Sequence, residues 1–463
     1  MTAARKCPAL YISAPASHQG KTAVTAGLAR YYKNRGWRVR VFKTGPDFLD
    51  PMLLERASGN PVYQLDLWMI GEQRCRELLW NAAGDSDVIL IEGVLGLHDG
   101  TPSSADLARL LDVPVALVIN AAGMAQSIHA VAHGLATYQP VGSTASTLRI
   151  AGVIANQTGS ARHEQMIADG ASAHLPVLAF VRRNDELTLP SRHLGLVQAA
   201  EIEDLDLILD KMAEQFADSH LATLPAQVEF PSRAAAAGEP LLAGLRIAVA
   251  RDAAFSFIYR DNLNWLLEMG AELKFFSPLA DNAIPDADVV YLPGGYPELH
   301  AHELSRNRAM QESLHQFRAG GGTFYAECGG MLYLLKSLIT VDGRQHHMMG
   351  LLPGVARMGK RLASLGYQFI SLSNGIIRGH TFHYSEIEAP WSEVLRATKH
   401  PLGVPGEAIC FADGIFASYV HLYFRSAPGA AASIFVSGES NADVRKNPHT
   451  SRTMVRSLPS SVN

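Results

Sequence analysis

Short runs of almost unbroken apolar residues recur along the first half of this chain, and they fix its architecture. Asp87-Val88-Ile89-Leu90-Ile91-Glu92 is the clearest, and Val115 to Asn120, Ile150 to Asn156 and Val177 to Val181 repeat it. A strand with one face in water alternates apolar and polar residues. A run that is apolar throughout must be buried on both faces. Ala9 to Ala14 and Val39 to Lys43 read as the first two strands, with a helix from Lys21 to Asn34 between them. Strands of this kind with helical stretches between them imply a parallel, doubly wound α/β sheet. A second α/β alternation begins near Leu245. It reads as strand Leu245 to Ala250, a helix around Asn262 to Met269, strands Glu272 to Phe276 and Asp288 to Leu292, and a strand ending before Cys328.

A chain of 463 residues is too long for one core, so at least two domains are expected. Residues 231–244 are small, Pro- and Gly-bearing and without amphipathic period, which suits a linker. The expected division is 1–230, the linker 231–244, a second domain 245–440 and a polar tail 441–463. The formal net charge of -4 argues against bulk attraction to nucleic acid or to an anionic membrane. Cys7, Cys75, Cys328 and Cys410 lie far apart with no C-x-x-C spacing. A reducing, cytoplasmic setting is therefore expected, without a zinc site or a disulfide framework. The apolar stretch after Arg5 and Lys6 is short and leads into Gly20-Lys21-Thr22, so it reads as a strand and not as a signal peptide. No apolar run is long enough to span a bilayer.

Ser13 to Thr22 follows the first strand and opens a helix, as a phosphate-binding loop must. Backbone N–H groups and the helix N-terminus can cradle phosphate oxygens, Lys21 can neutralise them, and Thr22 can reach Mg²⁺. Gly20, Lys21 and Thr22 are thus the expected ATP contacts. The match is incomplete, because Pro15 stands where the strict motif has Gly, and His18 takes a place often held by Gly. Asp47, Asp50, Glu92 and Asp99 lie just past strand ends, on the side where α/β sheets bind ligands. Asp beside Pro or Gly is also an ordinary turn residue. An acid such as Glu92 that closes a buried strand needs a partner or an ion.

In the second half, Gly322 to Tyr325 leads into Ala326-Glu327-Cys328-Gly329-Gly330 and then into the helix-like Met331 to Leu335. Strand, Cys on a sharp turn, then helix is the geometry of a nucleophile elbow. The helix N-terminus would lower the cost of a thiolate. A Cys nucleophile also needs a base and an oxyanion hole. His421, at the end of the apolar strand Ser418-Tyr419-Val420-His421, is the candidate base. The N–H groups of Gly329 and Gly295, the latter in Pro293-Gly294-Gly295-Tyr296, are the oxyanion candidates. Together these resemble a class I glutamine amidotransferase with Cys and His in one α/β domain. Full triads of that type carry an acid two residues after the His, and here Tyr423 stands there. His421 must be oriented from elsewhere, or the site works as a Cys–His dyad. His129 and His133 lie four apart on an expected helix over Met124–Leu135, but no third ligand accompanies them.

Longer strings narrow the resemblance. Phe42 to Pro51 (Phe-Lys-Thr-Gly-Pro-Asp-Phe-Leu-Asp-Pro), Glu92 to Gly100, Ala248 to Phe257, the Cys328 elbow and Arg378 to Ser385 are similar to the glutamine-hydrolysing cobyrinic (or hydrogenobyrinic) acid a,c-diamide synthases, within the cobyric-acid-type amidotransferases. The likeness covers residues 8 to about 437. It implies an N-terminal P-loop synthetase domain like dethiobiotin synthetase and a C-terminal glutaminase. It implies ATP and Mg²⁺ as cofactors, with L-glutamine or ammonia as nitrogen donor and cobyrinic or hydrogenobyrinic acid as substrate. It implies Cys328 as nucleophile assisted by His421, Lys21 and Thr22 on the nucleotide phosphates, and Asp47 and Glu92 with Thr22 around Mg²⁺. Phe48, Leu49, Asp50 and Asp99 would line the substrate and intermediate region, and Asn156 would read the adenine edge. Cobyric acid synthases and nickel-sirohydrochlorin a,c-diamide synthases share this order. The Gly45-Pro46-Asp47-Phe48-Leu49-Asp50 string favours a,c enzymes over cobyric acid synthases. A P-loop ATPase switch with an inactive glutaminase domain is the alternative from another class.

Overall fold

The computed structural model describes residues 3–139, 146–187, 189–192, 195–232, 238–391 and 395–436. The expected polar tail and residues 233–237 of the expected linker lie outside these. Among the described residues, no helix is long and apolar enough to cross a membrane.

The N-terminal half is built on a parallel sheet. Its strands run in the order Tyr63–Leu65, Val39–Thr44, Val88–Glu92, Arg5–Ser13, Val115–Asn120, Ile150–Thr158, Val177–Arg182. All six pairings along this path are parallel. Gln227–Phe230 adds antiparallel to the start of Arg5–Ser13. Val88–Glu92 is buried at every position, as its apolar run requires. Helix Lys21–Asn34 starts at Gly20, which takes φ 90°. That helix packs on helix Leu205–Glu214. Gly27 makes the approach possible, since a Cβ there would meet Met212 Cβ and Phe216 Cε2 at 3.1 Å each.

The C-terminal half holds a ten-stranded sheet. Glu272–Phe276, Arg246–Ala250, Val289–Leu292, Thr323–Glu327 and Ile415–Ser418 are parallel neighbours in that order. Pro405–Ala412, Leu395–Lys399, Ser364–Leu372, Gly375–His383 and His421–Tyr423 then extend it antiparallel. A four-stranded sheet, with Leu335–Ile339 and Leu352–Met358 at its centre, covers the helix after Cys328.

Two expectations are corrected here. His421 does not end the strand that precedes it. Ile415–Ser418 stops, the Ser418 hydroxyl accepts from the Val420 N–H, and His421 starts a short strand paired with Gly375–His383. Both pieces are buried, so their side chains read as one apolar run. The expected linker is also less free than its composition implies. Leu242 is buried and its N–H bonds to the Met269 carbonyl.

The halves meet through buried charge. Arg74 Nε donates to Asp261 Oδ2 at 3.0 Å, and Arg425 Nε lies 3.1 Å from the same oxygen. Tyr423 also donates to Asp261. Burial alone would raise the Asp261 carboxyl, but Arg74 and Arg425 hold it below the usual range. Its contribution to stability is therefore present at neutral pH and is lost as pH falls through that lowered value. Asp261→Ala would take from two largely buried guanidinium groups the carboxylate they share, leaving Arg74 with Glu77 and Arg425 with Glu268. It should cost about 3 kcal/mol, read as a lower urea midpoint, with a smaller pH dependence of that midpoint in acid.

Candidate active sites

Helix Lys21–Asn34 and the ends of strands Val39–Thr44 and Val88–Glu92 converge on a cavity of about 600 Å³. Gly20, Lys21, Thr22, Lys43, Asp47, Asp50, Glu92 and Asn156 all line it. At its floor the buried Lys43 ammonium sits 2.8 Å from Asp50 and 2.7 Å from Glu92. Thr22 Oγ1 donates to the same Glu92 oxygen at 2.8 Å. The other oxygen, Glu92 Oε2, is buried without a partner.

The charges in this cavity tune one another. Burial and then Asp50 push Asp47 up to about 7. Burial would also raise Asp50, but Lys43 overrides it and holds Asp50 low. Glu92 is raised by burial against the pull of Lys43. Lys21 is lowered to about 8, by burial first and then by Lys43. Its Nζ donates to the carbonyls of Leu95 and Ala16 at 2.5 and 3.2 Å. Carbonyl oxygens thus hold the lysine at the mouth of the phosphate loop. His18 takes a left-handed φ of 61°, a conformation for which Gly is the easier residue.

Other expected residues lie around this cavity. Asn156 donates its amide to the Gln19 carbonyl at 2.8 Å, and a Cβ on Gly20 would sit 2.2 Å from the Asn156 nitrogen. It therefore shapes the loop as well as lining the cavity. Asp99 is exposed and accepts from the Gly96 N–H at 3.0 Å, closing a turn. Leu49 is buried at the start of helix Leu49–Ser58. The Phe48 ring turns away from the cavity into the C-terminal half.

The second site forms where strand Thr323–Glu327 ends. Cys328 takes φ 44° and ψ -108°, a strained backbone of the kind an elbow imposes. Its N–H bonds to the Ser418 carbonyl at 2.7 Å. Close packing sets this turn. A Cβ on Gly330 would lie 2.1 Å from the Leu292 oxygen, and one on Gly329 would lie 3.0 Å from the Gly295 nitrogen. A Cβ on Gly294 would strike His421 Cε1 at 2.3 Å. The Gly294-Gly295 turn, the elbow and the His421 ring thus form one contiguous site.

The electrostatics differ from expectation. The helix after Cys328 has six residues, and its N-terminus does not prevail. Burial pushes the Cys328 thiol well up, and Glu298 adds to the shift. Removing the thiol proton therefore needs a base. A buried carboxylate that spacing did not identify faces His421, whose Nδ1 is buried without a hydrogen-bond partner. Glu327 Oε2 lies 3.7 Å from His421 Nδ1, and both residues are 2% exposed. Tyr291 donates to Glu327 at 3.2 Å, the Leu422 N–H donates at 3.0 Å, and Tyr325 donates as well. The sequence does carry a signal, because Glu327 closes a buried strand as Glu92 does. Tyr423, at the usual acid position, serves Asp261 instead. His129 bonds through Nε2 to the Ile167 carbonyl, while His133 is exposed.

Residues 10–197 match the CobQ/CobB/MinD/ParA nucleotide binding domain, and residues 246–429 match the CobB/CobQ-like glutamine amidotransferase domain. The hydrogenobyrinate a,c-diamide synthase of Stutzerimonas stutzeri (strain A1501) is 52% identical over 93% of this chain and 99% of its own. The chain belongs to the cobyrinate/hydrogenobyrinate a,c-diamide synthase family. The Pseudomonas aeruginosa (PAO1) hydrogenobyrinate a,c-diamide synthase is also 52% identical, over 94% of this chain and 98% of its own. The cobyrinate a,c-diamide synthase of Herminiimonas arsenicoxydans is 49% identical, over 92% and 96% respectively. Cobyrinate/hydrogenobyrinate a,c-diamide synthases thus match from the phosphate loop to the region beyond His421.

The lowered Lys21 gives nucleotide binding a pH signature. Only the ammonium form attracts phosphate, and in the free protein that form fades above about pH 8. Affinity for ATP should weaken by up to about tenfold per pH unit above that value. Calorimetric titration between about pH 7 and pH 9 would read it, and a constant Kd would place the charge elsewhere.

Proposed function

We propose that this chain catalyses ATP- and glutamine-dependent amidation of the a and c side-chain carboxylates of cobyrinic or hydrogenobyrinic acid. Residues 1–230 act as the synthetase and 245–440 as the glutaminase. The single observation that carries the reading is a phosphate-loop cavity in one half of the chain and, in the other, a strained Cys328 whose elbow packs on the Gly294-Gly295 turn that also meets His421. The activities in the names of the relatives agree with it.

His421 takes the Cys328 proton as the sulfur attacks the glutamine amide carbon. The N–H groups of Gly329 and Gly295 receive the developing oxyanion. The C–N bond breaks, the imidazolium protonates the leaving nitrogen, and ammonia departs. Water then cleaves the thioester to glutamate and restores the thiol. Glu327 Oε2, 3.7 Å from His421 Nδ1, balances the imidazolium charge that forms when His421 takes the proton.

In the synthetase, a carboxylate oxygen of the corrinoid attacks the γ-phosphorus of ATP, giving an acyl phosphate and ADP. Ammonia then attacks the acyl carbon, loses a proton and expels phosphate. Lys21 draws charge from the transferring group, and Asn156 holds the loop beside the adenine end. Asp50, Leu49, Phe48 and Asp99 border the acceptor side. Thr22, Asp47 and Glu92 would hold Mg²⁺. The unpartnered Glu92 Oε2 suits a hard cation, which keeps most of its other positions for water and phosphate. When bound, Mg²⁺ would spread the charge of the phosphoryl group.

Cys328→Ala should abolish amidation from glutamine and keep amidation from added ammonia, with mass spectrometry of the corrinoid as the readout. Loss of both would contradict the two-site scheme. Glu327→Gln keeps the size but removes the charge and turns one acceptor oxygen into an N–H donor. It should lower glutamine-dependent kcat by about 10²-fold or more, while ammonia-dependent turnover persists as a control for folding. Equal glutamine turnover would remove Glu327 from the site.

A further inference from the structure

The end of strand Gly375–His383 and the turn into Ser385–Glu388 belong to the Arg378–Ser385 string, to which the two-site reading gives no task. They bring polar groups toward the Cys328 elbow. The His383 ring lies flat on Tyr419, with centroids 3.5 Å apart and planes 8° apart. The Tyr419 hydroxyl bonds to Ser385 Oγ at 2.7 Å. Tyr419 follows Ser418, whose carbonyl accepts from the Cys328 N–H, and it shares the buried cluster that holds Cys328. At the other nitrogen of the His383 ring, Glu407 Oε1 lies 3.3 Å from Nε2, and the Glu407 side chain is 15% exposed.

That last contact is short of a donor. His383 Nδ1 sits 2.9 Å from the Ser385 carbonyl, which can only accept, so Nδ1 carries the proton. Nε2 of the neutral ring then turns its lone pair toward a carboxylate oxygen. Both atoms are acceptors, and Nε2 is buried without a hydrogen-bond partner. A cationic donor brought between them would satisfy both. Glu298, Glu327 and Glu407 all help to hold the proton on Cys328. A cation at Glu407 therefore offsets one of the charges that oppose the thiolate. The spacing suits glutamine. Ser418 pairs with Glu327 on one side and with Ile409 on the other. Cys328 and the strand of Glu407 are thus two strands apart, about 10 Å at ordinary strand spacing. The amide carbon and the α-nitrogen of glutamine lie about 5 Å apart when extended, and the length of a glutamate side chain makes up the remainder.

We propose that Glu407 is the residue that makes the glutaminase specific for an α-amino acid amide. Its carboxylate, together with His383 Nε2, takes the α-ammonium group of glutamine and so places the side-chain amide at Cys328. Tyr419 and Ser385 hold the His383 ring in place for that contact. This inference rests on the two-site reading above and assigns the amino-acid end of the glutamine site.

Glutaramate, which is glutamine without its α-amino group, separates recognition from general loss of structure. Glutamate or glutarate released by the full chain, with ATP and hydrogenobyrinic acid present, is the readout. Wild type should use glutamine with a kcat/KM at least about tenfold above that for glutaramate, the weight of a charged hydrogen bond. Glu407→Gln should raise the KM for glutamine at least about tenfold and leave kcat within about threefold. Its kcat/KM for glutaramate should stay within about threefold of wild type. Glu407→Asp keeps the charge but draws it back by one methylene. It should shift the preference in the same direction, and it carries the test if Glu407→Gln does not fold. The same change for both amides, or none for either, in the variant used would overturn the proposal. So would wild type that uses the two amides equally, or a preference lost in Glu298→Gln and kept in Glu407→Gln. Wild-type protein that hydrolyses neither amide would instead overturn the two-site reading.

Discussion

The buried Lys43 ammonium, held between Asp50 and Glu92, is the interaction on which the synthetase site depends. Its side chain is 4% exposed and that of Glu92 is fully buried. Two carboxylates this close would otherwise repel each other and any incoming polyphosphate. Burial would lower Lys43, but Asp50 and Glu92 outweigh it and keep the ammonium charged. That single cation lets Asp50 stay ionised. It also depresses Lys21, the second cation at the mouth of the loop. Phosphate arriving at the loop would supply the opposite charge that Lys21 lacks in the free protein. The site is therefore short of negative charge only where the nucleotide would bring it.

The same economy appears at the other site with the signs reversed. Cys328 sits near Glu298 and Glu327 in a water-poor pocket, so its proton is held firmly. Burial also keeps the neighbouring His380 neutral, with His421 as a second cause. A neutral imidazole can stack on His421 without opposing its charge when the proton moves. Glu327 is placed to favour that charge. Its own hydrogen bonds come from Tyr291, Tyr325 and the Leu422 N–H, so the carboxylate cannot swing away.

Much of this was legible in the sequence, for identifiable reasons. Val88–Glu92 and its neighbours could be read because burial on both faces leaves no polar position in the run. Cys328 could be read because an elbow requires a strand before it and small residues behind it. The packing of Gly329 and Gly330 shows why. The antiparallel extension over Ser364–Leu372 and Gly375–His383 was not legible. Ser364–Leu372 is largely half-exposed, so it carries no continuous apolar signal. Lys43 and Glu327 were on the page as residues but not as partners. Nothing local says that Lys43 meets Glu92 across two strands, or that Glu327 meets a histidine 94 positions later. The direction of the Phe48 ring was hidden for the same reason, since it is fixed by contacts with Phe257 and Tyr259 in the other half.

Side chains of the two halves meet around His421. Tyr423, His421 and Phe424 lie on one short stretch. Tyr423 anchors to Asp261 and so to Arg74 of the synthetase half. His421 packs on Phe48, and the Phe424 N–H bonds to Asn262. Tyr423, where a full triad would carry its acid, is thus part of the interface, and a buried carboxylate, Glu327, stands at the strand end before Cys328. A tyrosine there ties the His421 strand to the N-terminal half through Asp261 and Arg74, while the carboxylate facing His421 comes from Glu327 instead.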